Sequence, residues 1–182
     1  ALETESNSPR DYRDPNEFWK ERGEALAENR DGANEFRSYH GRSWVDILGV
    51  PDAEHHDAIV ASHTFHEITM YYPMRVYRDK KYKLIWNIAA KLDYPFASDL
   101  WLASSWQAQY RQGEDASYGQ KTVGEYIHRP DFELYDIESD PNESDNLAEK
   151  TEYQSTLRSY QQKLKQAQKE LEDPWIMKWS YE

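Results

Sequence analysis

At 182 residues the chain is long enough for one domain, or for a domain with an arm. Its formal net charge of −12 argues against a nucleic-acid partner, whose phosphates demand clustered Lys and Arg, and any polyanion would need a local basic patch. Hydrophobic residues are 38% of the chain, yet 7 Trp and 14 Tyr make a core feasible, because each large ring buries much area. No run approaches the roughly 20 apolar residues of a membrane-spanning helix, so no membrane partner is expected. No signal-peptide pattern stands at Ala1. With 0 Cys there is no disulfide, and the compartment stays open.

Residues 1–13 are polar, carry Pro9 and read as an arm. Asp14-Pro15-Asn16-Glu17 predicts a helix start: Asp caps, Pro takes the first helical position and Glu the third. That helix would run to Asn29 and end at Asp31-Gly32. Residues 1–40 are thus expected to be an arm with a helix, and 41–182 the main body. Ser43 to Leu48 predicts a short capped helix, with Trp44, Ile47 and Leu48 inward and Gly49 as its stop. Residues 58–62 predict a buried strand. Residues 73–78 and 82–88 predict a hairpin around Asp79-Lys80-Lys81, its second arm buried on both faces. Between 89 and 130, Asp99 to Gln112 predicts a helix with Leu102, Trp106 and Tyr110 at four-residue steps, and the remainder reads as loop. Phe132, Leu134 and Ile137 are strand formers, and Asp140-Pro141-Asn142 is turn chemistry.

The clearest helix covers 151–172. Thr151 and Gln154 form a capping-box pattern. Tyr153, Leu157, Tyr160, Leu164, Ala167 and Leu171 make one apolar stripe, and Asp173-Pro174 stops the helix. Strands with a long helix laid over them predict an α+β layer.

Leu134-Tyr135-Asp136, Asp140-Pro141-Asn142-Glu143 and Asn146-Leu147-Ala148 resemble, in order and spacing, the C-terminal signature of the sulfatase family. Four further stretches are similar to family members acting on N-sulfated glucosamine of heparan-type glycans: Gly41-Arg42-Ser43, the run from His66 to Arg75, Lys81 to Asn87, and Asp173-Pro174-Trp175. The resemblance covers about Gly41 to Trp175. It implies an alkaline-phosphatase-like sulfatase C-terminal subdomain, a small antiparallel sheet covered by a long C-terminal helix. It also implies two partners, a sulfatase catalytic domain and a sulfated glycan. In the family a hydrated formylglycine attacks sulfur, with calcium and basic side chains stabilising the transferring sulfonate. This chain has neither a C-x-P-x-R nor an S-x-P-x-R motif, and Ser6-Asn7-Ser8-Pro9-Arg10 has the wrong spacing. No catalytic residue, metal ligand or cofactor is therefore expected here; calcium and formylglycine are expected in the catalytic domain. The family's compartments are lysosomal in animals and periplasmic or extracellular in bacteria.

By the same resemblance, the strand end near His63, His66 and Glu67 faces the active-site cleft. Imidazoles and a carboxylate there can bond sugar hydroxyls or an amine, and a cationic His can meet sulfate. A His-Glu pair adjacent in a strand points to opposite faces, so Glu67 is the first choice of the two. A guanidinium at Arg75 can take sulfate or carboxylate bidentately, but a structural ion pair with an acid such as Asp136 or Glu67 is the stronger expectation. The cluster Glu54, His55, His56 and Asp57 has poor metal spacing, because adjacent side chains diverge. Trp101, Trp106 and Tyr110 fit sugar stacking, and at helical spacing fit a core better. Asn142-Glu143-Ser144 satisfies the glycosylation sequon, and its turn chemistry is the simpler account.

The leading expectation is a sulfatase C-terminal subdomain that completes the fold and lines the substrate cleft, inactive by itself. Its aromatic richness predicts an apolar face and self-association of the isolated chain. The alternatives are a non-catalytic carbohydrate-binding or interaction module, or part of a related phosphatase or phosphonate hydrolase.

Overall fold

A computed structural model describes residues 43, 45–66 and 70–181. The chain divides into two compact units, Ala1–Ser43 and Trp44–Glu182, and the fold below is that of the second. The predicted arm and its helix, together with Trp44 and Glu67, lie outside the described residues.

A four-stranded antiparallel sheet is the frame, formed by β1 (Ala58–Phe65), β2 (Tyr71–Asp79), β3 (Tyr82–Asn87) and β6 (Phe132–Asp136), in the order β1-β2-β3-β6. The β2–β3 hairpin closes on Asp79, whose Oδ1 accepts the N–H groups of Lys81 and Tyr82 at 3.0 and 2.9 Å. Its other oxygen accepts the Tyr160 hydroxyl. Burial disfavours the Asp79 carboxylate, but these bonds and that from Lys163 outweigh it and hold its carboxyl below the usual range.

Strand residues alternate between two faces. One face carries Val60, Tyr77, Leu84, Trp86 and Leu134, aligned by the pairs Val60–Tyr77, Tyr77–Leu84 and Leu84–Leu134. Across it lies the long helix α4 (Gln154–Glu170), which buries Leu157, Tyr160 and Leu164. The α+β class and the covering C-terminal helix are as expected. The start of α4 differs: a 3-10 turn at Thr151–Tyr153 precedes it, and Tyr153 rather than Thr151 stands at the cap of α4, without a side-chain bond. Gln154 donates instead to the carbonyl of Ala148 at 2.7 Å, tying the helix to the segment before it. After α4, Glu172 turns the chain at φ 53° and Asp173 caps the 3-10 helix Pro174–Ser180. That helix lays Trp179 against Trp86, with ring centroids 4.2 Å apart.

The sulfatase-like signature seals the outer edge of β6. Asn146 Oδ1 accepts Leu134 N–H at 2.9 Å, and Leu147 N–H donates to the Leu134 carbonyl at 2.8 Å. Asn146 Nδ2 also donates to the Phe132 carbonyl at 3.3 Å. Asp140 pins the preceding turn by accepting from Ser144 and Asp145 N–H at 2.7 and 2.9 Å, which leaves Glu143 at φ 54°.

Several elements depart from expectation. β1 extends to Phe65, so His63 lies within it rather than past it, at a register shift between His63 and Phe65. Val45–Ile47 is a single 3-10 turn followed by Gly49 at φ 77°, and Leu48 is 63% exposed rather than inward. The helix expected over 99–112 breaks at Ala103 into α1 (Ser98–Leu102) and α2 (Ser104–Tyr110). Six residues apart on one helix, Leu100 and Trp106 would lie about 240° apart around the axis. The extended Ala103 brings both to one satellite core with Val123 and Ile127. Finally, the stretch read as loop contains a ribbon of β4 (Ser117–Tyr118) and β5 (Lys121–Thr122), and the helix α3 (Val123–Ile127). Thr122 and Glu125 form a complete capping box at α3.

Candidate functional site

The sheet face away from α4 is where polar side chains collect. His63, Met74, Val76, Lys83, Ile85, Glu133 and Tyr135 project from it by strand alternation, as the pairs His63–Met74, Val76–Ile85, Ile85–Glu133 and Lys83–Tyr135 require. The segment from Tyr94 to Arg129 covers part of this face, leaving a cleft of about 430 Å³ between them. A second cleft of about 540 Å³ adjoins it, and Lys121, Glu125, Arg129, Glu133 and Tyr135 stand in the walls of both.

Of the residues proposed from sequence, His63 lines this cleft. Its Nδ1 lies 3.0 Å from the Tyr72 carbonyl, which can only accept, so Nδ1 carries a proton. Nε2 remains for a ligand. His66 is exposed at the bend that follows β1. Arg75 lies on the opposite face, with its side chain 7% exposed. Its Nε and Nη2 donate to Asp173 at 2.6 and 2.9 Å, and Nη1 donates to the carbonyls of His63 and Met74 at 3.2 and 2.9 Å. The guanidinium is therefore a structural clamp; its acid is Asp173 rather than the expected Asp136, and Glu67 lies outside the described residues. Burial disfavours the Asp173 carboxylate, but the bonds from Arg75 and Gln168 prevail and hold its carboxyl below the usual range. The structure thus puts His63 and Arg75 on opposite faces of the sheet.

Most of the cleft's charge went unnoticed in the sequence. Lys83 Nζ contacts both Glu143 oxygens at 2.8 and 2.6 Å. Lys121 Nζ donates to the Tyr135 hydroxyl at 2.8 Å and stands 3.6 Å from Glu133. Glu133 is buried, and accepts from Asn87 Nδ2 at 2.7 Å and from the Tyr135 hydroxyl. Burial, and then the Glu133 charge, keep the Tyr135 proton on far above the ordinary phenol range. Deeper, Tyr72 is fully buried with no partner for its hydroxyl among the described residues, and burial pushes its pKa up to about 12. The two-residue alternation of Lys83-Leu84-Ile85 and of Glu133-Leu134-Tyr135 carried the signal for the sheet-borne charges. Lys121 and Arg129 needed the fold of the covering segment.

The metal and sugar-stacking candidates from sequence do not line this cleft. Among the described residues no group of His, Asp or Glu is arranged to hold a metal ion. Trp106 is fully buried, whereas Trp101 and Tyr110 stand at the surface, 43% and 39% exposed.

No family model matches the sequence. Human N-sulphoglucosamine sulphohydrolase is 30% identical over 121 residues, 65% of this chain and 24% of that protein. The match therefore spans about a quarter of the relative's length. A crystal structure from Bacteroides thetaiotaomicron VPI-5482, assigned as a sulfatase, overlaps 67% of this chain and 18% of its own with a TM-score of 0.44 and 17% identity, a likeness that carries no argument. The resemblance to the C-terminal part of a sulfatase is therefore carried by sequence similarity over 121 residues as well as by its motifs.

Proposed function

We propose that this chain is the C-terminal subdomain of a sulfatase that hydrolyses N-sulfated glucosamine in heparan-type glycans, where it completes the fold and lines the substrate cleft. The observation that carries the reading is the 30% identity to N-sulphoglucosamine sulphohydrolase over 121 residues. The chemical step belongs to a catalytic domain that supplies formylglycine and calcium, because this sequence has 0 Cys and no S-x-P-x-R motif. In this reading Glu67, His66 and His63 meet sugar hydroxyls or the glucosamine nitrogen, and a carboxylate at 67 avoids the sulfate that it would repel. Arg75 acts indirectly, by holding the His63 carbonyl and so the end of β1.

The test is sulfate release. The isolated chain should release none from glucosamine N-sulfate, and the protein joined to a formylglycine-bearing catalytic domain should release it. In that longer protein Glu67→Gln should lower kcat/KM for glucosamine N-sulfate more than for a small aryl sulfate. Equal losses on both substrates would make Glu67 structural, and release by the isolated chain would end the assignment.

A further inference from the structure

We propose that the cleft on the open sheet face binds a sugar carrying one oxyanion, held by Arg129. The charges in this cleft are unequally satisfied. Lys83 is neutralised by both oxygens of Glu143, and Lys121 is tied to Tyr135 and Glu133. Glu125, on the rim, accepts Thr122 N–H at 2.7 Å as part of the capping box of α3. Arg129 differs. Its only hydrogen bond among the described residues is a long one, from Nε to the Tyr126 carbonyl at 3.4 Å. No carboxylate among the described residues forms an ion pair with it, and both of its terminal amino groups lack an acceptor there.

The guanidinium is nonetheless held in place. It lies over the Tyr94 ring, 3.6 Å from the centroid, with Tyr126 on a second side at 5.5 Å. Contact with two aromatic rings anchors the guanidinium, while its terminal N–H donors have no acceptor among the described residues. A planar fork of donors fits two oxygens of a carboxylate or a sulfate group bidentately. Because the neighbouring cations are already paired, one negative charge suffices. A polyanion would meet Glu125, Glu133 and Glu143 in the same walls and the net charge of −12 beyond them. The remaining lining suits a polyol: Glu143 and Asn142 accept from hydroxyls, His63 Nε2 is available, and Met74, Val76 and Ile85 give an apolar floor. The volume of about 430 Å³ lies in the range of small-molecule sites.

This inference does not rest on the sulfatase reading, since binding is measured on the chain itself without catalysis. Titration calorimetry and NMR would compare glucuronate, glucosamine N-sulfate, N-acetylglucosamine and inorganic sulfate on the 182-residue chain. The two charged sugars should bind and shift the Tyr94, Tyr126 and Arg129 Nε resonances, and whichever binds tighter identifies the oxyanion. Arg129→Gln should weaken that sugar by about tenfold or more, and Arg129→Lys, which keeps the charge and loses the fork, should weaken it nearly as much. Lys80→Gln, at the exposed hairpin tip, should change nothing. Circular dichroism and melting of both Arg129 variants establish that they fold; if Gln unfolds the chain, the Lys variant carries the comparison. Equal affinity for N-acetylglucosamine would overturn the oxyanion, and equal affinity for inorganic sulfate would overturn the sugar. No binding to about 10 mM, the weak limit for a small ligand, or affinity unchanged in folded Arg129 variants, would overturn the site. None of these outcomes touches sulfate release by the longer protein.

Discussion

Asp173→Asn tests the clamp that joins the end of α4 to the middle of the sheet. Arg75 and Asp173 are 7% and 11% exposed at their side chains, so neither charge is rescued by water. Asn keeps the size of Asp and one acceptor oxygen, but leaves the guanidinium buried without a counter-charge. Breaking one side of a buried pair costs about 3–5 kcal/mol. The Asn oxygen still accepts one bond, so the lower end, about 3 kcal/mol, is expected. In a unit of this size that corresponds to roughly 6–12 °C in melting temperature. Urea unfolding followed by far-UV circular dichroism gives the free energy. The pH dependence provides an independent check. The folded Asp173 has its carboxyl held below the usual range, so it contributes stability that is fully present above the unfolded value near 3.9. That contribution disappears as pH falls through the lower folded value. The acid limb of the wild-type profile should therefore be steeper than that of Asp173→Asn, while above about pH 5 the two curves run parallel. A loss under about 1 kcal/mol, the level of a surface pair, or identical acid limbs, would refute the clamp.

Leu164→Asp should cost several kcal/mol and Leu164→Ala about 2–5 kcal/mol, because Leu164 is fully buried between α4 and the sheet; an unchanged melt would mean the stripe is not covered. Asn146→Ala should cost about 1–3 kcal/mol by leaving the N–H of the fully buried Leu134 without its acceptor, and amide exchange at Leu134 should accelerate. The isolated chain should self-associate in sedimentation, driven by exposed side chains such as Leu48, Phe65, Leu92 and Leu102, and a strictly monomeric profile at high concentration would contradict that.

What the sequence revealed was what depends on neighbours along the chain. The Leu157, Tyr160 and Leu164 stripe is a local period, and it is buried as read. The Asp140-Pro141-Asn142 turn was legible as turn chemistry, but its consequence was not. Asn146 reaches back 12 residues to Leu134, a pairing that no local pattern encodes. Arg75 was legible as an ion-pair residue, while its partner lies 98 residues on. The break at Ala103 follows from the need of Leu100 and Trp106 to share one core, which is a tertiary demand. By contrast, the capping box at Thr122 and Glu125 is local and could have been read. The candidate cleft was the least legible feature, because its cations come from β3, from β5 and from the turn after α3, and only folding brings them together.

The sealed β6 edge also sets a limit on assembly. A sheet with two bare edges adds copies of itself without end, and the product is a filament. Here Asn146 and Leu147 occupy the backbone groups of Leu134 that another strand would need. Among the described residues β1 pairs only with β2, so lateral recruitment is confined to that margin. Two molecules meeting margin to margin exhaust it, and growth by strand addition stops at a closed pair.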